Sequence, residues 1–211
     1  MKRIFNWKEK VNEIELEKIS KDLRIGKVAI FLTETVYGIG ANVFDESAVK
    51  KIYKIKNRPS NKAINVLVSD IKMVWSVAKD ILPLEERIIE EFFPGPLTII
   101  LKKNDNVPSV VTAGGDTIGV RMPANDIALK IIDKAGIPLA TTSANLSGED
   151  SAINMKMLKE KFMPEDVLVI DGGESKIGVA STIIQVENEN IKIIRQGSIT
   201  KEEIEEKINR K

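Results

Sequence analysis

Four cations fall within nine residues in the segment KIKNRPSNK, residues 54–62: Lys54, Lys56, Arg58 and Lys62. Lys50 and Lys51 precede them, and no Asp or Glu follows until Asp70. Lys50, Lys51 and Lys54 recur at helical spacing and read as a solvated helix face. Lys56 and Arg58 differ, because Pro59 fixes the backbone behind them, and Arg58 brings a planar fork suited to phosphate or carboxylate. A second polar segment, TTSANLSG at residues 141–148, groups the hydroxyls of Thr141, Thr142, Ser143 and Ser147 with the amide of Asn145. It suits either a polar turn closed on itself or a set of neutral donors for a phosphate or ribose. Arg121 ends the apolar run TIGVRMP. An arginine so placed must be paired, with Glu34 or Asp116, or must hold a carboxylate-bearing ligand.

Other chemistry is excluded by composition. The chain has 211 residues with no Cys and no His. This removes disulfides, thiolate nucleophiles, a Ser-His-Asp triad and every His-containing metal site. The net charge is +1, so an anion site must be local rather than a product of the whole molecule's field. No G-x-x-x-x-G-K-[ST] loop occurs, and GIGANV lacks the third glycine of a dinucleotide fingerprint. The N-terminal residues carry charge from the start and no run approaches a membrane span, so a soluble, cytoplasmic protein is expected.

The elements that must position these residues read as alternating helices and strands. An amphipathic helix carries Val11, Ile14, Ile19 and Leu23 and stops at Gly26. Residues 28–32 read as a buried strand, with Gly38 and Gly40 breaking the chain into a loop. Asp45 caps a helix with Ala48, Val49, Ile52 and Ile55 on its apolar face, which Pro59 closes. Further strands are INVLV, the run after PGP, TIGVRM, IPLATT, VLVIDGG, STIIQV and NIKIIRQG. Helices are expected around residues 71–78, 84–93 and 126–136, with a short one near 155 and a last one over TKEEIEEKINR. Without a repeat or flexible linker, residues 1–211 are expected to form a single domain of α/β class: a twisted mixed sheet flanked by helices. The polar segments TETVYG, KNRPSN, TTSANLSG and the pair GVAST–IIRQG are expected to converge at strand ends.

TETVYGIGAN, KIKNRPSN, FFPGPLTIIL, IGVRMP and TTSANLSG, in this order, resemble the motifs of the YrdC-like family, over about residues 12–198 of the chain. The resemblance implies a concave, basic cavity in a mixed sheet. It also implies an L-threonylcarbamoyladenylate synthase, a nucleotidyltransferase joining L-threonine, bicarbonate or CO2 and ATP into threonylcarbamoyl-AMP and pyrophosphate. The product would feed t6A at position 37 of tRNA through a separate threonylcarbamoyl transferase complex. Lys56 and Arg58 would hold the ATP phosphates and act in catalysis, with Ser60 nearby. Thr117, Ser143, Asn145, Ser151 and Arg195 would complete the ATP site. Thr33, Tyr37, Asn65, Arg121, Thr141 and Ser181 would form the threonine site, Arg121 taking the carboxylate. Mg2+ would arrive mainly on ATP, with no protein metal ligands named. Leu32 and Ala63-Ile64 stand where the family usually has Pro and Pro-Leu, a departure that touches loop shape. The chain resembles the short form of the family, without a second domain. A double-stranded RNA or tRNA-binding module without synthase activity is the alternative that the basic segment allows, although aromatics make up only 5% of the chain and stacking platforms are scarce.

Overall fold

The computed structural model describes residues 3–209. Among these, ten strands form one sheet in the order β1-β8-β2-β3-β7-β4-β6-β5-β9-β10. The strands are β1 (Arg3–Asn6), β2 (Ala29–Leu32), β3 (Tyr37–Asn42), β4 (Asn65–Leu67), β5 (Leu97–Lys102), β6 (Thr117–Arg121), β7 (Leu139–Ser143), β8 (Leu168–Asp171), β9 (Thr182–Glu187) and β10 (Asn190–Arg195). The sheet is mixed: β8 pairs parallel with β1 and β2, and β4 with β6, whereas β3 and β7 run antiparallel to their neighbours.

Helices begin and end where local chemistry requires. The Asn12 side chain accepts from the N–H groups of Ile14 and Glu15 and starts α1 (Glu13–Arg24). Gly26, with φ of +82°, takes the chain out of it. Asp45 accepts from the Ala48 N–H at the start of α2 (Glu46–Lys56). This helix stops at Asn57, which is left-handed with φ of 50°, ahead of Pro59. Lys56 is therefore the last helical residue and Arg58 lies in the loop beyond, as the sequence suggests. The remaining helices are α3 (Ile71–Val77), α4 (Pro83–Phe92), α5 (Asp126–Ala135), α6 (Met155–Lys161) and α7 (Lys201–Asn209).

Two strands were not anticipated. The four residues of β1 are short and begin beside charge, so they carry no readable pattern. Gly38 and Gly40 do not break the chain into a loop but lie inside β3. Their glycine character answers to crowding. A Cβ on Gly40 would lie 2.7 Å from Thr141 Oγ1 and 3.1 Å from the Phe31 ring, and one on Gly38 would lie 2.9 Å from Thr141 Cγ2. The chain reverses instead over residues 33–36, where the Thr33 hydroxyl donates to the Val36 carbonyl.

Alternation along the strands then decides what faces the site. Gly38 and Gly40, Thr141 and Ser143, Asn65 and Leu67, and Gly119 and Arg121 are pairs spaced by two, so each pair points to one face. Register aligns them: Thr141 opposes both Gly40 and Asn65, and Leu67 opposes Arg121. On the same face, Phe31, Leu67 and Leu139 join a core with α1 and α5. A larger core holds Ile39, Val66, Ile99 and Val120 against α2 and α4. Gly38, without a side chain, lies at a depression on the face that carries the smaller core.

Candidate active site

The depression is a cavity of about 130 Å³. Its walls carry Thr33, Thr35 and Val36 from the β2–β3 turn, Asn65, Thr98, Arg121, Thr141 and Ser143 from the strands, Ser151 and Ser181 from loops, and Arg195 from the end of β10. Hydroxyls predominate. Three of the four polar segments picked from the sequence, TETVYG, TTSANLSG and GVAST–IIRQG, meet here.

Arg121 anchors the floor. It is 6% exposed. Its Nε donates to the Gly95 carbonyl at 3.1 Å and its Nη1 to Thr35 Oγ1 at 3.0 Å. Thr35 in turn lies 2.9 Å from the Thr33 hydroxyl. Arg121 Nη2 lies 2.7 Å from Glu34 Oε1. That contact is a buried ion pair at hydrogen-bond distance, and both the Glu34 charge and its hydrogen bond favour the charged guanidinium. The ion pair to Glu34 is thus one of the two partners expected from sequence; yet Arg121 still lines the cavity, so pairing and ligand binding are compatible. Burial pushes the Arg121 guanidinium down from its ordinary range, and Glu34 opposes this. A second arginine faces the cavity. Arg195 Nη2 donates to the Ser181 carbonyl at 2.6 Å and to its hydroxyl at 3.2 Å. Burial, then the charge of Arg121, lowers its pKa. The Ser181 hydroxyl also meets Thr98 Oγ1 at 2.8 Å.

The cationic segment lies outside the cavity walls and joins them through Ser143. Lys56 is 1% exposed. Its ammonium donates to the carbonyls of Ser143 and Asn145 and, at 3.2 Å, to Asn145 Oδ1. Those three oxygens match its three protons. The Ser143 hydroxyl meets the same Asn145 Oδ1 at 2.5 Å, and the Asn145 amide donates to the carbonyls of Leu146 and Glu149. Lys56, Ser143 and Asn145 are therefore one bonded cluster. Desolvation, then the charge of Arg58, lowers the Lys56 pKa to about 7. Arg58 is less buried; its Nη2 donates to the Ala63 carbonyl at 2.6 Å and its Nε to that of Lys62 at 3.1 Å. The polar turn reading of TTSANLSG and the ligand reading both find support: its amide closes the loop, while Ser143 faces the cavity.

The other expected residues lie apart. Ser60 and Thr117 are exposed and outside the cavity walls. Tyr37 is fully buried and points away, its hydroxyl donating to the Gly173 carbonyl at 2.8 Å. Burial, then Asp171, raises its pKa. Its backbone still matters, for the Tyr37 carbonyl accepts from the Ala144 N–H and holds the Ser143–Asn145 turn against β3. Sequence reasoning missed Thr35 and Thr98, both on the walls, whereas Thr142, grouped with the TTSANLSG hydroxyls, does line them. Thr35 lay within a quoted motif; Thr98, alone in an apolar strand, gave no signal. Lys50 and Lys51 behave as a solvated face, Lys50 pairing with Glu46 and Lys51 donating to the Gly26 carbonyl.

Among known proteins, residues 21–197 match the family model of the Sua5, YciO and YrdC proteins, described as telomere recombination. The chain is 40% identical over 205 residues to a threonylcarbamoyl-AMP synthase of Pyrococcus abyssi, a match covering 97% of this chain and 60% of that protein. It thus spans less than two thirds of that relative. A putative threonylcarbamoyl-AMP synthase of Methanocaldococcus jannaschii is 39% identical, with 93% of this chain and 92% of the relative covered. The solved structure of Pyrococcus abyssi Sua5 complexed with L-threonine superposes with a TM-score of 0.93, covering 97% of this chain and 60% of that one, at 40% identity. Escherichia coli YciO, at 22% identity and a TM-score of 0.81, shares the fold. Five ordered motifs, a ten-stranded mixed sheet and a match over most of the chain agree: this protein belongs to the Sua5/YciO/YrdC family.

Proposed function

We propose that the chain is an L-threonylcarbamoyladenylate synthase. The observation that carries this reading is the position of Ser143, which lines the cavity and also bonds to the Lys56 cluster. A cavity of about 130 Å³ suits an amino acid, being well below the roughly 300–1,000 Å³ of sites for larger ligands. The nucleotide would then lie outside it, against the Ser143–Asn145 turn, Lys56 and Arg58.

In this reading, Arg121 takes the threonine carboxylate, with Thr33, Asn65, Thr141 and Ser181 around the remainder of the molecule. The ATP phosphates lie toward Arg58 and Arg195, with Ser151 beside them; Ser60 and Thr117 reach the nucleotide from the rim. Lys56 contributes charge from behind the turn and holds Ser143 and Asn145 in place. Bound threonine gives its ammonium proton to solvent, and the neutral amine adds to bicarbonate or CO2 to give a carbamate, with loss of water in the first case and of a second proton to solvent in the other. A carbamate oxygen attacks the α-phosphorus, and the bond to pyrophosphate breaks. No covalent intermediate with the protein is required; positioning and charge neutralisation suffice. The side chains at the phosphate end are cations and hydroxyls, so Mg2+ would be held by the phosphates themselves, where it would neutralise charge on the departing pyrophosphate. The product would pass to a threonylcarbamoyl transferase acting on tRNA. No helix among the described residues is long and apolar enough to cross a membrane.

The reading is tested by incubating the protein with ATP, Mg2+, L-threonine and 13C-bicarbonate and analysing the adenylates by mass spectrometry. A threonylcarbamoyl-AMP peak heavier by the labelled carbon is expected. An adenylate lacking that carbon would refute the reaction as written.

A further inference from the structure

Glu34 is a buried carboxylate, 4% exposed, that the proposed reaction does not use. The other buried carboxylates have donors: Asp22 pairs with Lys27, Glu85 accepts from the Leu82 N–H, and Asp171 from the Gly173 N–H. Glu34 has the Arg121 guanidinium at 2.7 Å from Oε1, and no donor meets Oε2 among the described residues. A buried carboxylate left in this state is costly to the fold. Gly95 and Thr35 accept from Nε and Nη1 of the guanidinium, and Glu34 meets the remaining nitrogen, Nη2.

The charges around the cavity suggest what Glu34 is for. Arg121 and Arg195 both line it, and no carboxylate does. Two arginines alone would attract any small anion. Glu34, sealed behind Arg121, reduces this pair to a single net positive charge and adds a negative pole. Its oxygens are shut off from water, so its field reaches the cavity with little screening. A ligand carboxylate still finds Arg121, while a ligand ammonium next to that carboxylate gains attraction from Glu34. A ligand with a carboxylate alone is held by Arg121 but gains nothing from Glu34, whose charge repels it.

We propose that Glu34 sets the charge selectivity of the cavity, making it a site for an amino-acid zwitterion rather than a simple carboxylate; this rests on the reading of Arg121 as the carboxylate-binding group. Glu34 is a positioning and specificity residue, acting through Arg121 without touching the ligand.

The test is calorimetric binding of L-threonine and of (R)-3-hydroxybutyrate, which is threonine without its amine. The wild-type protein is expected to prefer threonine by at least about tenfold, the scale of one like-charge contact exchanged for an opposite one. Glu34→Gln should shrink that preference from both sides, weakening threonine and strengthening 3-hydroxybutyrate. Glu34→Asp should keep the preference while weakening threonine somewhat. Equal weakening of both ligands by Glu34→Gln would mean a purely structural role and overturn the inference. If Glu34→Gln does not fold, as judged by circular dichroism, the wild type and Glu34→Asp decide: binding of the two ligands within about threefold of each other, or loss of the preference in Glu34→Asp, overturns it. A wild-type protein that binds neither ligand contradicts the amino-acid reading itself, whereas threonine binding with an unchanged preference in Glu34→Gln sinks only the role of Glu34.

Discussion

In the proposed function, Arg58 and Lys56 divide the work of one short motif between contact and support. Arg58 is partly exposed; its guanidinium meets the carbonyls of Lys62 and Ala63 and the Tyr53 side chain, and in the proposed function its open side meets a phosphate. Lys56 is enclosed, with each proton directed to an oxygen of residues 143–145. Both substitutions, Arg58→Ala and Lys56→Met, should lower pyrophosphate formation by about 100-fold, the scale expected for loss of one preorganised group. Their pH profiles should differ. With its pKa lowered to about 7 by burial, Lys56 is protonated below neutrality and loses both its charge and one donor above it. The advantage in ATP affinity of wild type over Lys56→Met should therefore fall as pH rises through about 7. In Arg58→Ala the repulsion that helps lower the Lys56 pKa is gone, so the loss of ATP affinity tied to Lys56 should move to higher pH than in the wild type. A Lys56 ratio that is constant from pH 6 to pH 9 would contradict this assignment.

At the scale of elements, β3 and β6 present glycines where neighbouring side chains crowd in, and Gly38 lies on the cavity wall itself. Gly119 leaves room for the Asn65 side chain, whose oxygen would lie 2.4 Å from an added Cβ. Gly38→Ala would drive a methyl group to 2.9 Å from Thr141 Cγ2. The strain should cost about 1–3 kcal/mol, as overpacking commonly does. It should also weaken threonine binding by between about 10- and 100-fold, because Thr141 must shift. Thermal denaturation and threonine KM check the two parts; an unchanged KM in a destabilised Gly38→Ala would separate Thr141 from the site. These glycines also show where sequence reading stops. The helices were legible because capping residues and 3.6-residue periodicity are local, as with Asp45 at the start of α2 and Gly26 beyond the end of α1. Gly38 and Gly40 looked like turn residues, because the pressure that selects them comes from Phe31 and Thr141 across the sheet. The site residues Arg121, Ser143 and Thr33 could be picked from their types and from a family resemblance. That Lys56 is enclosed and Tyr37 turned away could not, since neither burial nor side-chain direction is written in a motif.

In the whole molecule, one mixed sheet with a packed core on each face holds a small cavity that carries net charge of its own, while the chain as a whole sits at +1. Affinity for anions must then come from Arg58, Arg121 and Arg195 rather than from a general field. The same balance disfavours a broad RNA-binding role, and Lys50 and Lys51 of the basic segment are already engaged by Glu46 and Gly26. Family membership and the Ser143 junction together support a synthase. The most direct measurement is pyrophosphate release by the purified protein with ATP, Mg2+, L-threonine and bicarbonate, each omitted in turn. The account predicts release that requires both threonine and bicarbonate, with serine a poor substitute. Release that proceeds without threonine, or none at all from folded protein that binds ATP, would contradict it.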